Sequence, residues 1–178
     1  MKRAQSRSWR CRPNLTRFNR LHHLRAAVRL TELLTPDRIR VPLQARDKTG
    51  VLRELVSLLL PGDGSQGEEV LAAVLERERQ FPTGIGHGVA VPHGRTPAMA
   101  ALGIVAGTSP DPVRYETIDG QPVRLFFLLA GPEALAGASV KALSRISRLV
   151  RQEPLRMRLL AAQTPQEFYR TILEAEGA

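Results

Sequence analysis

The chain is read as an α/β protein, a mixed β-sheet flanked by α-helices on both faces. Two observations predict this. Apolar patterns of period two alternate with patterns of helical period along residues 30–178. In addition, Val123–Leu129 is an unbroken apolar run following the turn signal Asp119-Gly120, as expected of a central strand covered on both faces. Hydrophobic residues make up 43% of the chain and aromatics only 4%, so the core has to be built mainly from Leu, Val, Ile and Ala.

The elements follow in order. Leu30, Leu33 and Leu34 have helical spacing, Thr35-Pro36-Asp37 is a turn, and Ile39, Val41 and Leu43 alternate as in a half-buried strand. Asp47 is placed to cap a helix carrying Val51, Leu52, Leu55, Leu58 and Leu59 on one side, which ends at the loop Pro61-Gly62-Asp63-Gly64. A helix over about Glu68–Arg79 turns Val70, Leu71, Val74 and Leu75 inward. The Phe81–Gly88 segment cannot be helical, and Val89-Ala90-Val91 makes a short strand ending at Pro92-His93-Gly94. Leu102–Gly107 is a second apolar run, and Val113–Tyr115 reads as a separate short strand. Three helices close the chain: about Ala138–Arg151, then Pro154–Leu160, then one opened by Thr164 as N-cap, Pro165 at the first position and Glu167 two residues on.

The net charge of +9 suggests nucleic acid until it is located. Of the 26 Lys and Arg, nine fall within residues 1–29, which hold no acid; the other 17 balance all 17 acids. The basicity belongs to the tail, so residues 1–29 are read as a disordered extension and 30–178 as the folded domain, with no nucleic-acid partner expected. The alternatives for that tail are a nucleic-acid or anionic-surface anchor and a helix over about Leu21–Leu34 leading into the domain. No apolar run approaches the roughly 20 residues that span a bilayer, and no secretory signal is visible. The single cysteine, Cys11, excludes an internal disulfide, so a cytoplasmic location without membrane insertion is expected. His22 and His23 lack neighbouring Cys or carboxylate ligands, and neither metal nor cofactor is expected.

The informative segment runs from Arg77-Glu78-Arg79 through Thr83-Gly84-Ile85-Gly86-His87-Gly88 to Val91-Pro92-His93-Gly94-Arg95. Four glycines lie within the 11 residues 84–94 around His93. Glycines let backbone N–H groups approach a ligand closely, and a concave run of amides favours phosphate-like anions. Pro92 stiffens the chain before His93, whose neutral imidazole is a competent nucleophile near neutrality, its ordinary pKa being about 6.5. One ring nitrogen would attack while a backbone carbonyl holds the other. The glycine spacing fits neither a dinucleotide fingerprint nor a nucleotide-triphosphate loop. A structural histidine beside an ordinary loop remains an alternative on pattern alone.

These motifs, with Ile118-Asp119-Gly120-Gln121-Pro122-Val123 and Ala161-Ala162-Gln163-Thr164, closely resemble the fructose/mannitol-type enzyme IIA domains of the bacterial phosphotransferase system, including their nitrogen-regulatory branch. The resemblance covers roughly Leu30 to Leu173 and implies that family's mixed sheet flanked by helices. It implies phosphorylation of His93 by a histidine-containing phosphocarrier protein, a phosphotransferase activity through phosphohistidine. Arg77 would lie near the phosphoryl group, with Thr83, Gly84 and Gly86 shaping the pocket. His87 falls where relatives often carry a small polar residue. Relatives usually have a second histidine opening the long helix; here Ser139 stands in its place, two residues before Lys141, and serine cannot hold a positive charge. With no transporter or sugar-binding segment in the chain, the regulatory branch is expected, controlling a transporter or kinase by phosphorylation state. The alternatives are a sugar-transport subunit passing phosphate to an enzyme IIB, and a binding module impaired in phosphotransfer.

Overall fold

The computed structural model describes residues 29–62 and 64–177. The expectation of a disordered basic tail, and the start of a helix leading in from Leu21, lie outside these residues. Where that helix would have continued, Leu30–Glu32 forms a single 3-10 turn. The strands are β1 (Ile39–Arg40), β2 (Gly84–Gly86), β3 (Val89–Ala90), β4 (His93–Arg95), β5 (Gly103–Val113) and β6 (Val123–Gly131). The helices are α1 (Lys48–Leu59), α2 (Gly64–Gln80), α3 (Ala136–Val150), α4 (Glu153–Ala161) and α5 (Pro165–Gly177).

The sheet is mixed, ordered β1-β5-β6-β3-β2, with β4 also paired to β6. Strand β6 runs antiparallel to β5 on one edge. On its other edge it runs parallel to β3 and then β4, two consecutive pieces of the same chain segment. Side chains alternate across a strand, so β6 feeds two cores. Leu125, Phe127 and Leu129 join Ile146, Leu159, Phe168 and Ile172 under α3, α4 and α5. Phe126, Leu128 and Ala130 join Val51, Leu55, Val70 and Val74 under α1 and α2. Both faces of β6 are dry, which is why its sequence is apolar without alternation.

Several boundaries differ from the sequence reading, each for a local reason. β1 stops at Arg40 because Pro42 has no N–H for a ladder, although Leu43 still donates to the Thr108 carbonyl. Helix α2 starts at Gly64, ahead of the expected Glu68, so the Pro61–Gly64 loop is shorter than read. The Leu102–Gly107 run continues to Val113 as one strand, its register with β6 broken between Thr108 and Val113, where Pro110 and Pro112 remove two donors. The Phe81–Gly88 loop contains the strand β2. The caps form as read: Asp47 accepts from the Gly50 N–H, and Thr164 from the Glu167 N–H.

Candidate functional site

His93 opens β4, where the expectation was a strand end. It sits opposite Leu129 of β6, and the Leu129 N–H donates to the Pro92 carbonyl at 3.0 Å, so the backbone around His93 is tied to the central strand. Gly94 lies against α2 on the next position: a Cβ there would fall 2.9 Å from Val74 N and 3.0 Å from Val74 Cγ2. Backbone cannot yield as a side-chain tip can, so Gly94→Ala should lower stability by about 1–3 kcal/mol, read as a fall in the thermal midpoint. A variant as stable as the parent would mean that β4 and α2 can separate freely.

The imidazole Nδ1 lies 3.0 Å from the Val91 carbonyl oxygen. A carbonyl only accepts, so Nδ1 carries the proton and Nε2 keeps its lone pair. His93 is half-buried at a hollow of about 370 Å³ lined by Ala73, Glu76, Arg77 and Gln80 of α2 with Gly94 and Arg95 of β4. Burial pushes the imidazole pKa below its ordinary value; the Val91 carbonyl opposes this, Arg77 and Arg95 push further down, and Glu78 pulls up. The net result is a neutral ring at pH 7.

Two arginines therefore bear on this ring. Arg77 donates to the Phe81 carbonyl at 2.8 Å and stacks over the Phe81 ring at 5.6 Å, which holds the guanidinium at the end of α2. Arg95 shares a face of β4 with His93 and pairs at 2.9 Å with Glu133, in the 3-10 turn before α3. Sequence reasoning quoted Arg95 in the motif but gave it no role, because its spacing alone does not separate it from a solvated charge. Because Arg95 disfavours the charged ring, Arg95→Gln should move the His93 pKa up toward its ordinary value, followed by NMR titration of the imidazole. An absent shift would show that solvent screens Arg95 from the ring.

Of the other sequence-derived residues, Thr83, Gly84 and Gly86 do not line the hollow; Gly84 and Gly86 belong to β2, paired with β3 at the edge of the sheet. Thr83 is buried, and its carbonyl accepts from the Val91 N–H at 3.0 Å. Gly84 packs so closely on residues 116 and 117 that a Cβ would meet the Glu116 carbonyl at 2.5 Å. Gly86 and His87 both have positive φ, and Asp119 closes that turn by accepting from the His87 N–H at 2.8 Å. The His87 ring is exposed. Ser139 lies half-buried in the first turn of α3 and Lys141 is exposed; neither lines the hollow.

A buried network behind the loop was also missed. Glu78, 3% exposed, accepts from the Thr83 N–H and hydroxyl, while Lys48 Nζ from α1 lies 3.1 Å from Glu78, pairs with Glu116 and stands 4.6 Å above the Tyr115 ring. Glu78 follows Val70, Leu71 and Val74 on the inward stripe of α2, so a carboxylate on an apolar face was the available signal. Nothing local marks Lys48. Among the described residues no cluster of His, Cys, Asp or Glu could hold a metal ion, and no helix is long and apolar enough to cross a membrane.

Comparison with known proteins agrees with this architecture. The family described as "Phosphoenolpyruvate-dependent sugar phosphotransferase system, EIIA 2" matches residues 32–175. The chain is 34% identical over 140 residues to the nitrogen regulatory protein of Bradyrhizobium diazoefficiens, covering 79% of this chain and 92% of that protein. It is 38% identical over 138 residues to the fructose-specific EIIABC component of Bacillus subtilis, covering 77% of this chain but only 22% of that longer protein. The crystal structure of the nitrogen regulatory protein IIA-Ntr from Neisseria meningitidis superposes with a TM-score of 0.75 at 26% identity, covering 80% of this chain and 98% of that one. The fold also matches the Escherichia coli mannitol enzyme IIA in its complex with phosphorylated enzyme IIB, with a TM-score of 0.65 at 21% identity, covering 80% and 99% of the two chains. A match of this extent to the family, on the same mixed sheet, makes the chain a member of the EIIA 2 family of the phosphoenolpyruvate-dependent sugar phosphotransferase system.

Proposed function

We propose that the protein accepts a phosphoryl group on Nε2 of His93 from a phosphorylated histidine-containing carrier protein and regulates partner proteins by its phosphorylation state. The observation that carries this reading is the Nδ1–Val91 contact, which leaves the Nε2 lone pair free beside Arg77 and Arg95. In the transfer, that lone pair forms the new N–P bond as the carrier's N–P bond breaks. The carrier's ring nitrogen takes back its electron pair, and Nδ1 keeps its proton. Such transfer needs mainly alignment and charge compensation, which the strand and the two arginines supply without a metal. Ser139 adds a neutral group at most, so Arg95 takes on the compensating charge that a second histidine would bring.

The regulatory reading is supported by the 34% identity to a nitrogen regulatory protein and by the fold match to IIA-Ntr at a TM-score of 0.75. The 38% identity to a fructose-specific component keeps a second reading, delivery of phosphate to an enzyme IIB during sugar transport. Incubation with enzyme I, the carrier and phosphoenolpyruvate should add one acid-labile phosphoryl group. Offering the phosphorylated protein an enzyme IIB separates the readings: retention of the label supports regulation, and rapid loss supports transport.

A further inference from the structure

We propose that Glu78 is a positioning residue for His93, acting through a continuous hydrogen-bonded chain that begins at the buried Lys48–Glu78 pair and ends at the imidazole Nδ1. This rests on the reading of His93 as the reactive group. Each link is present. Lys48 Nζ lies 3.1 Å from a Glu78 carboxylate oxygen. Both Glu78 oxygens receive the Thr83 N–H, at 3.2 and 3.3 Å, and one also receives the Thr83 hydroxyl. The Thr83 carbonyl receives the Val91 N–H at 3.0 Å, and the Val91 carbonyl receives Nδ1–H of His93 at 3.0 Å.

The direction of each bond follows from chemistry. A carboxylate only accepts, so the Thr83 hydroxyl directs its hydrogen to Glu78 and offers its lone pair to the Tyr115 hydroxyl at 3.3 Å. Burial pushes the Tyr115 pKa upward, so that hydroxyl keeps its proton and serves as the donor. Lys48 is held charged: burial works against it, but its bonds to Glu116 and Glu78 outweigh burial. Thr83 is thus fixed from three sides, and with it the residue whose carbonyl sets the height of Val91. Because Val91 and His93 flank a proline, little rotation is left between them to absorb a shift of Thr83. A peptide displaced at Val91 would lose its hold on Nδ1–H, and the ring would exchange between its two tautomers. Only the Nδ1–H form presents a lone pair on Nε2.

The test is made on the full chain. In wild type, long-range ¹H–¹⁵N spectra should show His93 as a single Nδ1–H tautomer. Glu78→Gln should populate the Nε2–H form and slow phosphoryl uptake about tenfold at saturating carrier, with the carrier KM unchanged. The double variant Lys48→Met/Glu78→Leu removes both charges and leaves no lone buried ion, guarding against a variant that fails for charge burial alone; it should show the same tautomer mixture. Glu176→Gln, a buried carboxylate on the opposite helical layer, is the control and should leave spectrum and rate at wild-type values. A folded Glu78→Gln with an unchanged imidazole spectrum overturns the proposal, as does an equal change in Glu176→Gln. If wild type takes no label on His93, the phosphoacceptor reading fails, while the tautomer spectra still decide whether Glu78 orients the ring.

Discussion

His93→Ala should reduce phosphoryl labelling to background while leaving the fold in place. The side chain is half-buried at the rim of the hollow, and its recorded hydrogen bond is to the Val91 carbonyl, so its loss removes little packing. On the proposed function it removes the ring nitrogen that would form the N–P bond, and the described residues lining the hollow offer no second imidazole. Arg77→Gln should be graded by contrast. It keeps the nucleophile and takes away one guanidinium, an effect of about 100-fold on transfer when a preorganised donor is lost. Rapid-quench labelling with a common carrier measures both. Label persisting on the His93 variant would transfer the acceptor role elsewhere, and equal losses in both variants would mean that Arg77 is needed for folding or docking and not for the step itself.

Glu176→Ala should produce the largest loss of stability, about 3 kcal/mol. Glu176 is 7% exposed and gathers the Leu30 N–H at 2.8 Å, the Thr31 N–H at 3.1 Å, the Thr31 hydroxyl at 2.8 Å and Arg145 Nε at 3.1 Å. Arg145 is a quarter exposed, so the lower end of the range for broken buried pairs applies. For a domain of this size the thermal midpoint should fall by about 10 °C. Burial raises the Glu176 pKa, but the four donors outweigh it and hold the group below its ordinary value of 4.5. A carboxylate with a depressed folded pKa stabilises fully above that ordinary value and loses its contribution as pH falls through the folded pKa. The gap between parent and variant should therefore be wide at pH 7 and narrow progressively below pH 4.5. A gap independent of pH would show that packing, not charge, accounts for the loss.

How much of this was legible in the sequence depended on the range of the forces involved. Local signals carried well: Thr164 with Glu167, Asp47 before α1, and the apolar run that became β6. Proline placement was legible as interruption but not in its consequence. Pro42 cut β1 to two residues, whereas Pro110 and Pro112 were absorbed into β5 because the strand could pair on either side of them. Glycine misled at α2, whose first turn includes Gly64 and Gly67; their low helix propensity is offset by the helix packing on β4 and α1. That His93 and Arg77 share the hollow was legible because both lie in one short sequence motif. Arg95 lies inside the same motif, but its spacing alone does not separate it from a solvated charge. Lys48 could not be seen at all, since it stands 30 residues from Glu78 in the chain and meets it only through the packing of α1 on α2.

The two edges of β6 also order events in time. Its antiparallel partner β5 is joined to it by a short connection, so that pairing closes a small loop. The other edge waits for β3 and β4, which are separated from β6 in the chain by the whole of β5. Parallel pairing of distant segments carries the greater closure entropy and forms late. The hairpin is thus the early piece of the sheet, and the His93 imidazole is set by the last strand to dock. Amide exchange should follow the same order: protection at β5–β6 should precede protection of the Leu129 amide facing Pro92 during refolding. A chain caught part-way would hold a formed sheet centre while the His93 backbone is not yet tied to β6.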